Sequence, residues 1–139
     1  MKSPELTIDQ ISIGDTTSFE HTFTEADVQT FATLSGDYNP LHMDPSYAEK
    51  TIFGRRIVHG LLVASLASRF VGMYIPGRRC LYLSQTLNFK KPVYIGDTVS
   101  VAGIVTYTSL STNIVEIDIV ITKPDRVTVL DGKAIVKVI

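Results

Sequence analysis

The sequence predicts an α+β domain in which a curved antiparallel sheet wraps one long buried helix. Three observations lead there. Gly60 to Met73 is apolar almost all round, broken only by Ser65, Ser68 and Arg69. Everything after Gly77 reads as consecutive strands with short connections. No linker, repeat or low-complexity tract divides the 139 residues, so residues 1–139 form a single domain. A chain of that length buries roughly two thirds of the surface exposed when unfolded.

A strand-like piece spans Thr17 to Thr22. Thr24 then opens a helix, with Asp27 three residues on as a relative of the capping box that normally uses Glu or Gln. Val28, Phe31, Ala32 and Leu34 share one face at helical spacing, and Gly36 suits the C-terminal cap. A loop with Pro40 and Pro45 follows, then a helical turn near Tyr47 to Lys50. Because the Gly60–Met73 helix is apolar all round, burial is expected on every side. Strands are expected over Arg79–Phe89, Thr98–Tyr107, Asn113–Thr122 and Thr128–Val138, parted by Pro92, Gly96-Asp97, Ser109–Ser111 and Pro124-Asp125. Val115, Ile117, Ile119 and Ile121 alternate with Glu116 and Asp118, giving one buried and one wetter face. Short connections favour antiparallel pairing, and a one-faced sheet curling around an apolar helix is the hot-dog arrangement. Such a sheet leaves open edges that a second copy can continue, so a homodimer is expected.

Composition narrows the function. Thirteen Lys plus Arg against fourteen Asp plus Glu leave a net charge of −1, so no bulk attraction to nucleic acid or an anionic membrane is implied. The lone Cys80 can form no intrachain disulfide or cysteine zinc cluster, which suits a reducing, cytoplasmic setting. Residues 1–10 have no signal-type apolar core. The apolar stretch Ile57–Ile75 contains His59, Ser65, Ser68 and Arg69, and burial inside protein costs less for Arg69 than burial in lipid.

The informative run is Ser35-Gly36-Asp37-Tyr38-Asn39-Pro40-Leu41-His42-Met43-Asp44-Pro45. It sets a carboxylate and an imidazole five residues apart just beyond a helix end. Pro40 fixes its own φ and pushes Asn39 toward extended backbone, which stiffens the loop. An Asp and a His facing one water can orient it and move its protons, since imidazole titrates near neutrality. Taken singly, the competing reading is that Asp37 and Asn39 cap turns while His42 packs in the core.

Together with Ile57-Val58-His59-Gly60-Leu61-Leu62, Lys91-Pro92-Val93 and Gly96-Asp97-Thr98, this run resembles the signature of MaoC-like R-specific enoyl-CoA hydratases over nearly the whole chain. The short single-domain members that the chain is similar to link fatty-acid β-oxidation to polyhydroxyalkanoate synthesis. The resemblance implies a hydro-lyase and a hot-dog homodimer or higher homo-oligomer, with the acyl thioester in a tunnel at the subunit interface. It implies reversible hydration of a short- to medium-chain trans-2-enoyl-CoA to the (R)-3-hydroxyacyl-CoA. No cofactor, metal, nucleic acid or membrane is expected, coenzyme A entering only as part of the substrate.

Carried over by position, the resemblance makes Asp37 and His42 the catalytic pair and Asn39 a loop- and substrate-positioning residue. It makes the Gly60 backbone N–H the oxyanion donor and places Ser68 near the pair. Gly60 also suits that role physically, because glycine allows close approach and a first helical turn carries free N–H groups. Ser68, mid-helix, can equally bond back to its own helix. His59 is expected to order its turn, His21 to be solvated, Tyr38 to pack or line the entrance, and Cys80 to pack. Arg55-Arg56, Arg78-Arg79 and Lys90-Lys91 are candidate phosphate contacts, although exposed charges are usually only solvated. His21, His42 and His59 do not make a convincing metal set.

Three rivals remain at this point. An (R)-3-hydroxyacyl-acyl-carrier-protein dehydratase runs the same chemistry in reverse and needs a docking surface for an acidic carrier. An acyl thioesterase directs water at the carbonyl, and a non-catalytic acyl-thioester binding subunit needs no poised imidazole.

Overall fold

A computed structural model describes residues 1–139. A short 3-10 turn, Ile8–Gln10, precedes strand β1 (Thr16–Thr22) and helix α1 (Glu25–Ser35). Two single-turn helices follow, α2 (Pro40–Met43) and α3 (Pro45–Glu49), then the long α4 (Gly60–Met73). The remainder is strand: β2 (Cys80–Gln85), β3 (Asn88–Phe89), β4 (Thr98–Ser109), β5 (Ile114–Thr122) and β6 (Thr128–Val138). All pairings are antiparallel in the order β1-β4-β5-β6-β2, with β3 also on β6.

The expected strand over 79–89 is two strands. Both run along β6, from Cys80 opposite Val138 to Phe89 opposite Leu130. They part at Thr86, whose carbonyl lies so close over Gly132 that a Cβ there would sit 1.8 Å from its oxygen. Thr86 keeps its ladder bond to the Lys133 carbonyl at 3.0 Å, so the strand is pinched rather than lost.

One face of the sheet forms the core. Val99, Val101 and Val105 of β4, with Val115, Ile117, Ile119 and Ile121 of β5, are almost wholly buried. Each contributes about 1.5–3 kcal/mol relative to exposure. On the opposite face Lys133 Nζ meets Asp118 at 3.2 Å and Glu116 at 3.9 Å, as the alternation of β5 requires. Helix α4 lays Val63, Leu66, Ala67, Phe70 and Val71 against the core. Phe70 seats on Gly103, where any Cβ would come within 2.3 Å of the ring. Arg69 places its guanidinium over the Phe19 ring at 4.3 Å.

Helix α4 is not wrapped on every side: Leu61 is 62% exposed, and Ser65 and Ser68 are exposed with it. A single sheet covers only the face turned toward it. Helix α1 likewise buries Val28 and Ala32 but leaves Leu34 83% exposed, contrary to its expected place on the packed face. Thr24 and Asp27 do complete a reciprocal capping box, with both N–H···O contacts at 3.1 Å. His21 is not merely solvated, because its Nε2 lies 2.9 Å from the same Asp27 carboxylate. Burial works to raise the Asp27 pKa, but hydrogen bonds from Thr24 and His21 outweigh it and hold the group below its ordinary value.

Candidate active site

The run from Ser35 to Pro45 folds as a chain of self-capped turns. Gly36 ends α1 in the left-handed region at φ 79°, a conformation that favours glycine. The Asp37 carboxylate accepts from Asn39 N–H at 3.1 Å, Asn39 Oδ1 accepts from Leu41 N–H at 3.0 Å, and Asp44 Oδ1 accepts from Ser46 N–H at 2.9 Å. Pro40 and Pro45 occupy the first positions of α2 and α3, where a missing N–H costs nothing. The capping reading of Asp37 and Asn39 is therefore correct, and it does not displace a chemical one. Each cap spends one oxygen and leaves the side chain fixed in direction.

His42 is brought back to this loop by the segment before α4. Its Nδ1 lies 2.8 Å from the Ile57 carbonyl. A carbonyl only accepts, so Nδ1 carries the proton and Nε2 of the neutral ring is a free base. Burial is the main cause that pushes the His42 pKa below its ordinary 6.5, with nearby His59 and Arg56 adding to it. The bond to Ile57 and the Asp37 carboxylate oppose the shift without reversing it. A ring nitrogen of His42, one of His59 and a carboxylate oxygen of Asp37 all lie within 4.8 Å of one another. Asp37 itself is exposed.

Asp37, His42 and His59 thus form one compact polar cluster. The His42 and His59 rings pack against each other at a tilt, with centroids 4.1 Å apart and planes inclined by 31°.

A cavity of about 280 Å³ opens beside His42 and Gly60. Phe53, Val63, Phe89, Val129 and Leu130 supply much of its apolar wall, and Lys90 and Lys91 also line it. Gly60 starts α4 after His59, which caps the helix with no side-chain hydrogen bond. First-turn amides have no acceptor within the helix, so the Gly60 N–H is available to a ligand oxygen. The Phe89 ring packs against Gly60, its Cε1 3.0 Å from where a Cβ would stand.

The other expected positions sort cleanly. Asn39 positions the loop as the α2 cap. Ser68 lies on the exposed side of α4, eight residues past Gly60 or about 12 Å along the axis; it does not line the cavity, and one protomer does not bring it to the pair. Tyr38 turns its hydroxyl to Thr33 Oγ1 at 3.2 Å. Cys80 packs against the core, where burial pushes its thiol pKa up. Arg78 and Arg79 face Glu5, and Arg55 stacks over Tyr94 at 4.1 Å. Arg56 turns inward, its Nε donating to the His42 carbonyl at 2.6 Å. That structural use, the Ile57 carbonyl and the aromatic walls Phe53 and Phe89 were not foreseen from sequence. The sequence signal nearest to them was the Ile57-Val58-His59-Gly60 string and the Arg55-Arg56 pair.

Residues 10–123 match the family described as "MaoC like domain". The chain is 47% identical over 90 residues to the (R)-specific enoyl-CoA hydratase of Aeromonas caviae, covering 65% of this chain and 67% of that protein. It is 39% identical over 138 residues to the 3-hydroxybutyryl-CoA dehydratase of Methylorubrum extorquens, covering 97% of this chain and 87% of the relative. In structure it superposes on the A. caviae (R)-hydratase involved in PHA biosynthesis with a TM-score of 0.90 and 39% identity, over 93% of this chain and 98% of that one.

Proposed function

Since the chain belongs to the MaoC-like domain family, we propose from that premise how its residues serve an (R)-specific enoyl-CoA hydratase. The enzyme is a hydro-lyase that reversibly adds water to a trans-2-enoyl-CoA, giving the (R)-3-hydroxyacyl-CoA. The observation that carries the residue roles is the His42 Nδ1–H bond to the Ile57 carbonyl, because it leaves Nε2 as a base beside the cavity.

The thioester carbonyl sits at the Gly60 N–H, with the acyl chain along the apolar wall. Water held by Asp37 and His42 loses a proton to Nε2 as its oxygen bonds to the β carbon. The π pair moves onto the thioester oxygen, where the Gly60 amide and the positive end of α4 stabilise the enolate. One such donor is worth about 3–4 kcal/mol. The enolate then takes a proton at the α carbon from the imidazolium, so one water is consumed and the ring returns to its starting form. The cavity in one protomer, about 280 Å³, lies just below the ~300–1,000 Å³ usual for ligand sites. Lys90 and Lys91 at the same cavity are the phosphate contacts best placed for coenzyme A.

A second copy completes the site. The catalytic loop lies exposed in one protomer beside Leu34, Tyr38 and Leu61, and edge strand β2 turns Leu81 and Leu83 to solvent, each about half exposed. Pairing of open edges would bury such rows. No helix is long and apolar enough to cross a membrane; a reducing cytoplasmic setting is the reading that suits the lone Cys80.

The decisive experiment follows the enoyl-thioester absorbance on adding protein to crotonyl-CoA, with chiral analysis of the product and a matched acyl-carrier-protein substrate. The expected result is the (R)-3-hydroxy product from the CoA ester, with kcat lowered about 10²–10⁴-fold in His42→Asn. Unaltered turnover by that variant would remove His42 from its role, and exclusive use of the carrier substrate would favour the dehydratase reading. Sedimentation is expected to give a dimer, and a stable folded monomer at micromolar concentration would refute the pairing.

A further inference from the structure

His59 is buried to 2% exposure, and its Nδ1 is a buried side-chain polar atom with no hydrogen-bond partner. An unpaired buried acceptor calls for an explanation, because native interiors rarely retain one. Nothing in the helix it precedes supplies it, since His59 makes no side-chain cap to α4. Its contacts point elsewhere. Nε2 lies 3.0 Å from the backbone carbonyl of Asp37, twenty-two residues earlier. The ring packs against that of His42 at a tilt, with centroids 4.1 Å apart, and the Phe31 ring of α1 packs against it at 4.8 Å. His59 thus touches both members of the acid–base pair, one at its backbone carbonyl and the other at its ring.

We infer that His59 is a positioning residue for the proposed hydration chemistry: it fixes the distance between Asp37 and His42 by donating from Nε2 to the Asp37 carbonyl while packing its ring against the His42 imidazole. The inference rests on the roles given above to Asp37 and His42. The carbonyl can only accept, so the neutral His59 ring is the Nε2–H tautomer, opposite to His42, whose Nδ1 carries the proton. The unpaired Nδ1 follows from that choice. Flipping the ring about χ2 would withdraw Nε2 from the Asp37 carbonyl. A side chain serving only the helix start would instead cap α4.

Two amides test it, because Gln places its NH2 near the position of Nε2 and Asn places it near Nδ1. His59→Gln is expected to keep kcat within a few-fold of the parent. His59→Asn and His59→Phe are expected to lose about 10²-fold in kcat with KM little changed, as misplacement by 1 Å can cost that much. Equal activity of the Gln and Asn proteins, or a loss confined to KM, overturns the inference. Long-range proton–nitrogen correlation on the unaltered protein decides the matter where a variant fails to fold. His59 as Nε2–H beside His42 as Nδ1–H supports it, and His59 as Nδ1–H overturns it. That spectrum does not depend on turnover, so failure of the parent to hydrate an enoyl thioester would count against the functional reading alone.

Discussion

Arg56 donates from Nε to the backbone carbonyl of His42 at 2.6 Å, while its Nη2 reaches Glu25 Oε1 at 2.7 Å. The arginine side chain is 12% exposed and the glutamate 65%. The two ends of the bridge therefore differ in worth. Arg56→Met removes a charge-assisted bond to a part-buried carbonyl and is expected to cost about 1–3 kcal/mol in denaturant unfolding. Glu25→Gln loses only an exposed partner and is expected to cost under about 1 kcal/mol. If the glutamate change were the larger, the brace would be an ordinary surface pair.

The acid limb of the pH–rate profile should report His42. Its pKa is lowered chiefly by burial, so the ring remains a neutral base until pH falls below the ordinary 6.5. We expect log kcat/KM to be level through neutrality and to decline only below that value, because free-enzyme ionisations govern this ratio. A decline that begins above pH 6.5 would point to a different titrating group.

Gly60→Ala sets a methyl against Phe89, whose nearest ring carbons lie 3.0 and 3.1 Å from the new atom. Phe89 is 55% exposed and its ring can swing outward. Stability is expected to change by less than about 1 kcal/mol, while kcat/KM for the thioester falls. In a Phe89→Ala background the same substitution should cost less, because contacting residues do not add independently. Strict additivity would show that the ring does not bear on the amide.

Gly103→Ala drives a methyl to 2.3 Å from the Phe70 ring in the core, where neither the ring nor the strand has room to withdraw. A loss of about 1–3 kcal/mol in denaturant unfolding is expected. Gly103→Ala with Phe70→Leu should recover part of it. No recovery would mean that the strain lies in the backbone.

Some of this was written plainly in the sequence. The limits of α4 at Gly60 and Met73 follow from an apolar run opened by Gly60 and closed off by Pro76-Gly77, and the Thr24–Asp27 box from spacing alone. The division between β2 and β3 was hidden because its cause is the Thr86 carbonyl crossing Gly132, a contact between residues 46 apart in the chain. The spacing of Asp37 and His42 was legible as a pairing. The side chains that orient the pair were not, since His59 and Arg56 reach it across 22 and 14 residues. Periodicity finds which face is dry; it carries no register for such tertiary bonds. Leu34 and Leu61 mark the complementary limit, where an apolar side chain faces outward on the single chain.

Phe70 and Gly103 act as key and slot. A helix gliding by one turn, about 5.4 Å, would drive the aromatic into a strand residue that has a side chain. The only vacant seat lies at the glycine, which indexes α4 along its axis. Gly60 sits ten residues up the same stiff rod, about 15 Å away, so the coordinate of its amide is inherited from a notch in the middle of the sheet. On the role proposed for Gly60, a fault at that distant fulcrum is expected to lower turnover along with stability.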